Sequence, residues 1–318
     1  MTSYRLKPLT ESSLLSALTV ILALAAVYLP VIGMVAALVW ALPIIVLVVR
    51  HGMRWGIMAV LVSGIIMALL IEPLLSLRMV ISFAPTGLML GVAFRRQWSG
   101  SKTFGSALLV SVVAKLLSLG ILFLITAVNP LTLELNALQS SVNQSLTVYE
   151  QMGMDPAALD KSRAEITHSL EFLSLLMPLI VAAMGLMDTA VGYLIGCRVL
   201  HRLGYQVPHL PPFSEWHLPQ VFLYIFGFAL VGLYWGGTRE LQWLYQTAMN
   251  LNMVAMFAGI VQGLSLMSYV LLRYRVRRPL RLMLYILVLM GGPLSQVLAF
   301  TGLFDMVFDY RRRFGGRS

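Results

Sequence analysis

Residues 104–128 read FGSALLVSVVAKLLSLGILFLITAV, with one charge, Lys115, and no proline. An apolar run of roughly 18 residues or more is long enough to cross the hydrocarbon core of a bilayer as a helix. Nothing there solvates a bare peptide group, so a lone crossing segment must satisfy its backbone internally, as a helix does. A barrel strand would instead alternate apolar and polar positions over about ten residues. This stretch does not alternate, and it predicts a transmembrane helix.

Similar runs occupy most of the chain. Of 318 residues, 59% are hydrophobic and only 11% charged, against about 25% charged in ordinary globular chains. A mean hydropathy of +0.84 leaves too little polar surface for a soluble fold of this length. The expected spans are 12–29, 31–49, 55–71, 74–94, 104–128, 172–197, 220–235 and 249–272. A further apolar stretch, 280–304, is interrupted by Gly291-Gly292-Pro293. The predicted fold is an all-α polytopic membrane bundle of about eight full spans plus this broken segment.

The net charge of +10 is scattered in short basic clusters between spans, whereas a nucleic-acid surface requires a contiguous basic face. Lipid is the expected partner and nucleic acid is not. With the N-terminus in the cytoplasm, the inner ends collect Arg5, Lys7, Arg50, Arg54, Arg95, Arg96, Lys102, Arg198, Arg202, Arg273, Arg275, Arg277, Arg278 and Arg281. The outer segments hold Arg78, Lys161, Arg163 and Arg239. Basic residues favour the cytoplasmic side, so this asymmetry sets the expected orientation, in the plasma (inner) membrane of a bacterium. Arg311, Arg312, Arg313 and Arg317 would face the wrong side if 280–304 crossed fully. Gly and Pro make a sharp bend cheap, so the segment is expected to turn inside the membrane and return the C-terminus to the cytoplasm. The apolar run after Arg5 and Lys7 continues into a second span beyond Pro30, so it reads as a retained first span and not a cleaved signal.

Residues 129–171 form the long polar interruption. Asn129-Pro130 and Asp155-Pro156 resemble helix starts. Leu135, Leu138, Val142, Leu146, Tyr149 and Met152 recur at helical spacing, and Leu159, Ile166, Leu170 and Leu173 continue it past Gly153. The pattern predicts an external helical hairpin whose second arm runs straight into the sixth span. The expected division is thus 1–128 as a Gly-rich membrane core, 129–171 as the hairpin and 172–318 as a C-terminal bundle.

Five Gly-x-x-x-Gly pairs, Gly52/Gly56, Gly87/Gly91, Gly192/Gly196, Gly232/Gly236 and Gly259/Gly263, each expose bare backbone on one helix face. Membrane helices use such faces for close packing.

Two charges lie deep in spans: Lys115 in the fifth and Asp188 in the sixth. Both fall roughly 15 Å from the inner surface at ~1.5 Å per residue. They are expected to pair, either as a structural bridge or as part of a ligand site, because an unpaired charge at that depth costs several kcal/mol. Gln262 and Asn252 bring amides into apolar surroundings and join Lys115 and Asp188 as candidate ligand-binding residues. Glu72 and Arg78 flank Pro73 at an outer turn. Asp305 and Asp309, four apart, are expected to share a helix side beside Arg311–Arg313 in a salt-bridged helix end. His209, Glu215 and His217 cluster near the sixth span without an established zinc spacing, so no metal is expected. The single cysteine, Cys197, excludes an intrachain disulfide. No HExxH, GxSxG or GxxxxGK[ST] motif is present, so neither catalytic residues nor a cofactor are expected.

The stretch Leu42-Pro43…Arg50-His51-Gly52…Gly56, with Pro85-Thr86-Gly87…Gly91…Arg95-Arg96, resembles the Gly-rich membrane core of the substrate-binding S components of energy-coupling-factor vitamin transporters. That resemblance covers residues 1–128. It implies, by fold analogy, a bundle of about six spans that binds a small solute and works with other membrane subunits. Ser12/Ser16 and Ser13/Ala17 loosely echo the small-residue surface such proteins present on their first helix. The second half carries Asn250-Leu251-Asn252, Val261-Gln262-Gly263-Leu264 and Gly302-Leu303-Phe304-Asp305. With these the whole chain is similar to the YybS-like family of bacterial polytopic membrane proteins. Two functions are therefore expected in competition. One is a transport-related protein that binds a small solute; the other is a non-transporting scaffold that organises envelope or secretion machinery through its external hairpin.

Overall fold

The computed structural model describes residues 3–314 apart from 129, 153 and 209, without the side chains of 3–7, 30, 130–134, 156–158, 160, 168, 171, 313 and 314. The expectations placed on Asn129, Gly153, His209 and Arg317, and on the side chains of Arg5, Lys7 and Arg313, fall outside these described residues. Among the described residues every regular element is a helix, and 8 helices are long and apolar enough to cross a membrane. The chain divides into two compact units, Met1–Leu210 and Pro211–Ser318, so the sixth span clusters with the first five.

The first unit contains α1 (Ser3–Tyr28), α2 (Pro30–Val39), α3 (Leu42–His51), α4 (Met53–Leu70), α5 (Pro73–Arg95), α6 (Gly100–Thr126), α7 (Pro130–Gln151), α8 (Pro156–Leu175) and α9 (Met177–Arg202). The expected second span is split into α2 and α3 at Trp40-Ala41, just before Leu42-Pro43. Proline lacks the donor that would continue the helix ladder. Its helix α3 is buried on every side from Pro43 to Val49. Close packing around it follows from glycine: a Cβ at Gly91 would lie 2.6 Å from the Val48 side chain, and one at Gly87 would lie 3.0 Å from Ala41. Likewise Gly192 faces Leu90 at 3.0 Å and Gly196 faces Phe94 at 3.3 Å, which docks α9 on α5.

One glycine pair departs from the expected pattern. Gly52 is not on a helix face but joins α3 to α4 with φ +98°, a conformation that favours glycine. The hairpin arms α7 and α8 are both present, with Leu146 and Leu159 buried. The second arm is not continuous with the sixth span, however. It ends at Leu175, Leu176 intervenes, and α9 starts with Pro178 in its first turn. Leu138, Tyr149 and Met152 from the predicted stripe are exposed.

The second unit contains a short turn at Phe213–Glu215 and then α10 (Val221–Thr238), α11 (Gln242–Arg273), α12 (Arg278–Met290), α13 (Gly292–Phe308) and α14 (Tyr310–Phe314). Helices α10 and α11 form an antiparallel pair, with Gly232 against Ala248 and Gly236 against the backbone of Tyr245. Helix α11 starts at Gln242, seven residues before the expected boundary, because no breaker follows Leu241. The apolar segment 280–304 is broken at Gly291, where α12 and α13 meet at 101°. That angle is closer to a right angle than to the full reversal of a tight hairpin.

The direction of α13 is fixed by its contacts. Phe300 meets Phe226 of α10 with ring centroids 5.7 Å apart, and further along α13 Asp305 meets Gln262 of α11. Gln262 in turn bonds Leu218, which precedes α10. Moving from Phe226 back to Leu218 therefore moves forward along α13. Helix α13 runs antiparallel to α10 and parallel to α11, so the C-terminal ends of α11 and α13 lie on the same side of this unit. Helix α12 must carry the chain back between them. The backbones of α11 and α13 nearly touch, since a Cβ on Gly302 would collide with the carbonyl of Gly259.

Candidate functional site

Lys115 and Asp188 pair in the first unit. Lys115 Nζ meets Asp188 Oδ2, with side chains only 7% and 11% exposed. Helices α6 and α9 run antiparallel here, as shown by the Phe104–Tyr193 ring contact at 5.9 Å and by Gly185 against Val112. The lysine also lies over the Phe83 ring of α5, 4.5 Å from its centroid. A cation above an aromatic face gains electrostatic attraction that is strongest when water is excluded.

Four buried polar atoms lie close to this pair in register. The Leu90–Gly192 and Phe94–Gly196 contacts run α5 parallel to α9, and the same register carries Thr86 to the level of Asp188. Ser111 is one turn before Lys115 on α6, Thr189 adjoins Asp188, and the Trp40 ring lies 6.1 Å from Phe83. Thr86 Oγ1, Ser111 Oγ, Thr189 Oγ1 and Trp40 Nε1 are all buried and make no hydrogen bond among the described residues. Buried polar groups are paired in the great majority of cases, and exceptions call for an explanation. This layer can offer a charged donor, a charged acceptor and several neutral hydrogen-bonding groups to one polar molecule.

The other two candidates, Gln262 and Asn252, belong to the second unit. Gln262 is fully buried and its amide is engaged at both ends. Oε1 accepts from Leu218 N at 2.9 Å, and Nε2 donates to Asp305 Oδ2 at 2.7 Å. Asp305 Oδ1 accepts from Tyr310 N at 2.9 Å, and Arg311 Nε stands 3.7 Å from Oδ2. Arg311 further donates to the Ser214 and Trp216 carbonyls and to Ser265 Oγ, each at 2.8 Å. Asn252 is ten residues from Gln262 on α11, roughly 15 Å along the axis, so the structure does not bring these two together. Its Oδ1 is buried and unpartnered among the described residues.

Sequence reasoning placed Arg311 beside Asp305 but missed Ser265 as a member of this network. It expected the salt-bridged helix end but not its depth. Asp305 and Asp309 do not share one helix side, because α13 stops at Phe308 and Asp309 turns to φ +43°. Asp305 points into the unit, whereas Asp309 pairs with the exposed Arg312 at 2.8 Å. Glu72 stands at the N-cap position of α5 without a side-chain capping bond, and Arg78 lies inside that helix, not in the turn. Glu215 belongs to the short turn Phe213–Glu215. Among the described residues no group of three or more His, Cys, Asp or Glu side chains could hold a metal ion.

A family model described as "Predicted membrane protein (DUF2232)" matches residues 17–306. The chain is also 26% identical to the uncharacterized protein YybS of Bacillus subtilis (strain 168) over 313 residues, which is 96% of this chain and 98% of that protein. No solved structure matches it.

Proposed function

The chain belongs to this family of predicted membrane proteins, and from that premise we propose that it is a transport-related protein binding a small polar solute at the Lys115–Asp188 layer. One observation carries the reading: a buried ion pair between two candidate membrane-spanning helices, with hydroxyls on three different helices at its level that have no partner among the described residues. Ionisable groups inside a membrane are expensive and mark substrate or ion pathways by default. A solute with an ionic group would compete for one member of the pair, and Thr86, Ser111 and Thr189 would then acquire partners. The six candidate spans between Met1 and Leu210 support the S-component analogy, with other membrane subunits as partners and no catalysis by this chain.

The scaffold reading draws on a different feature. Helices α7 and α8 carry exposed Leu138, Tyr149, Met152 and Met154, a surface that another envelope protein could cover.

The test is untargeted mass spectrometry of solute retained by the purified full chain, with solute uptake measured on deletion. Retention that disappears in Lys115→Met/Asp188→Leu is the expected result. No retained solute together with unchanged uptake would overturn transport. Copurification of an envelope enzyme through the hairpin would favour the scaffold.

The membrane is the inner membrane in this reading, with both termini cytoplasmic. The parallel course of α11 and α13 supports the C-terminal half of that assignment, because it puts Asp309 on the same side as Arg273. A reporter fused after Ser318 should behave as cytoplasmic, whereas external labelling of a cysteine placed near Arg317 in intact cells would overturn it.

A further inference from the structure

Where α3 turns into α4 and α5 ends, the first unit has a concavity of about 450 Å³ lined by His51, Gly52, Arg54, Trp55, Arg95 and Arg96. Three guanidiniums face one space, and none has a carboxylate partner among the described residues. Glu11 is the carboxylate nearest in bonding terms, but it is already shared. It takes a 2.9 Å bond from Arg50 and a 2.7 Å contact with His51 Nε2. Arg54 and Arg96 are exposed. Arg95 is held in place, donating through Nη1 to the Val48 carbonyl near the end of α3 at 3.3 Å.

Backbone geometry adds to this. Gly52 lies so close to Arg95 that a Cβ would collide with Nη1, so glycine is what allows that guanidinium to reach the mouth of the concavity. Its φ of +98° also sets the start of α4 at Met53, beside the concavity. Guanidinium forks match the oxygens of phosphate in a bidentate manner. Trp55, and Trp98 with Lys102 4.7 Å over its ring, are residues that favour headgroup depth.

We infer that Arg54, Arg95 and Arg96 form a binding site for a phosphate-bearing anion. The phosphate comes from an anionic lipid headgroup or from a free phosphate in solution, and the site is separate from the Lys115–Asp188 layer.

The experiment uses the purified full chain in detergent, and reads native mass spectrometry and thermal shift with two probes: phosphatidylglycerol against phosphatidylcholine, and inorganic phosphate. The variant is R54Q/R95Q/R96Q. The control is R273Q/R275Q/R277Q, which removes the same charge elsewhere. Expected is preferential retention of phosphatidylglycerol, reduced about tenfold or more in the first variant and unchanged in the control. If inorganic phosphate stabilises the protein and competes, the source is free phosphate; if it does neither while the lipid binds, the source is the headgroup. Should the triple variant fold poorly, R54Q and R96Q singly serve, since both side chains are exposed, and each should weaken retention. Equal losses in variant and control, or no preference for either phosphate probe, would overturn the site.

Discussion

The two units each bury a charged constellation, and the two are built to opposite standards. In the second unit Asp305 and Gln262 have partners on both of their polar ends, and Arg311 reaches two carbonyls and a hydroxyl. In the first unit Lys115 and Asp188 have each other, while hydroxyls at their level have no partner among the described residues. In the second network only Arg311 Nε lacks a hydrogen bond, and any loss there strands several groups, whereas the first leaves a set of neutral polar atoms without partners among the described residues. The two constellations differ in the state of their surrounding hydrogen bonds more than in burial or charge.

The sharpest way to break the comparison is to remove Asp305. Asp305→Leu strands Gln262 Nε2, Tyr310 N and part of Arg311 at once. We expect a loss of about 3–5 kcal/mol, the usual cost of breaking a buried pair, seen as poor expression and a lowered melting temperature. Arg311→Met added to it should not rescue, because Gln262 Nε2, Tyr310 N and the Ser214 carbonyl stay without the partners they have in the wild type. If the double variant recovers wild-type stability, the network is a simple ion pair after all.

Lys115→Met or Asp188→Leu alone should cost a similar about 3–5 kcal/mol, but here the double variant should come close to neutral. Melting temperature and expression report the rescue, and solute retention reports function separately. Stability unchanged in both single variants would show that the pair does not matter to the fold.

Overpacking the helix crossing is next in size. Gly302→Val pushes two methyls into the Gly259 carbonyl, and we expect about 1–3 kcal/mol of destabilisation and a shift in α13 detectable by crosslinking to α11. Gly292→Ala, which meets nothing within 4 Å, is the matched control and should be tolerated.

The smallest effect sharpens the contrast most. Thr86→Val removes a hydroxyl without a partner, so it should leave stability within about 1 kcal/mol or raise it, yet it should weaken solute retention. Ser265→Ala, whose hydroxyl serves Arg311 and two carbonyls, should instead lose stability. Equal melting shifts in the two variants would erase the distinction between the regions.

Some of this was legible in order of residues alone. Apolar runs gave the spans because bilayer thickness fixes their length, and Lys115 and Asp188 could be paired because antiparallel neighbours bring equal depths together. The fine breaks were harder to read. Leu42-Pro43 was visible as a proline in an apolar run, yet whether proline kinks or splits a helix depends on what packs around it. The Asp305–Asp309 spacing was compatible with one helix face, and only the turn at Asp309 sent the two carboxylates to different places.

What the sequence determined by itself, then, is the all-helical membrane class, the broken C-terminal segment and the placing of two charges inside apolar helices. Each depends on local composition and a fixed rise per residue. Only the tertiary structure decided that α13 runs parallel to α11, that Arg311 closes on Ser265, 46 residues away, and that Thr86, Ser111 and Thr189 end without hydrogen-bond partners among the described residues. Those outcomes depend on helix register across non-adjacent segments, which close glycine contacts set and which no local pattern encodes.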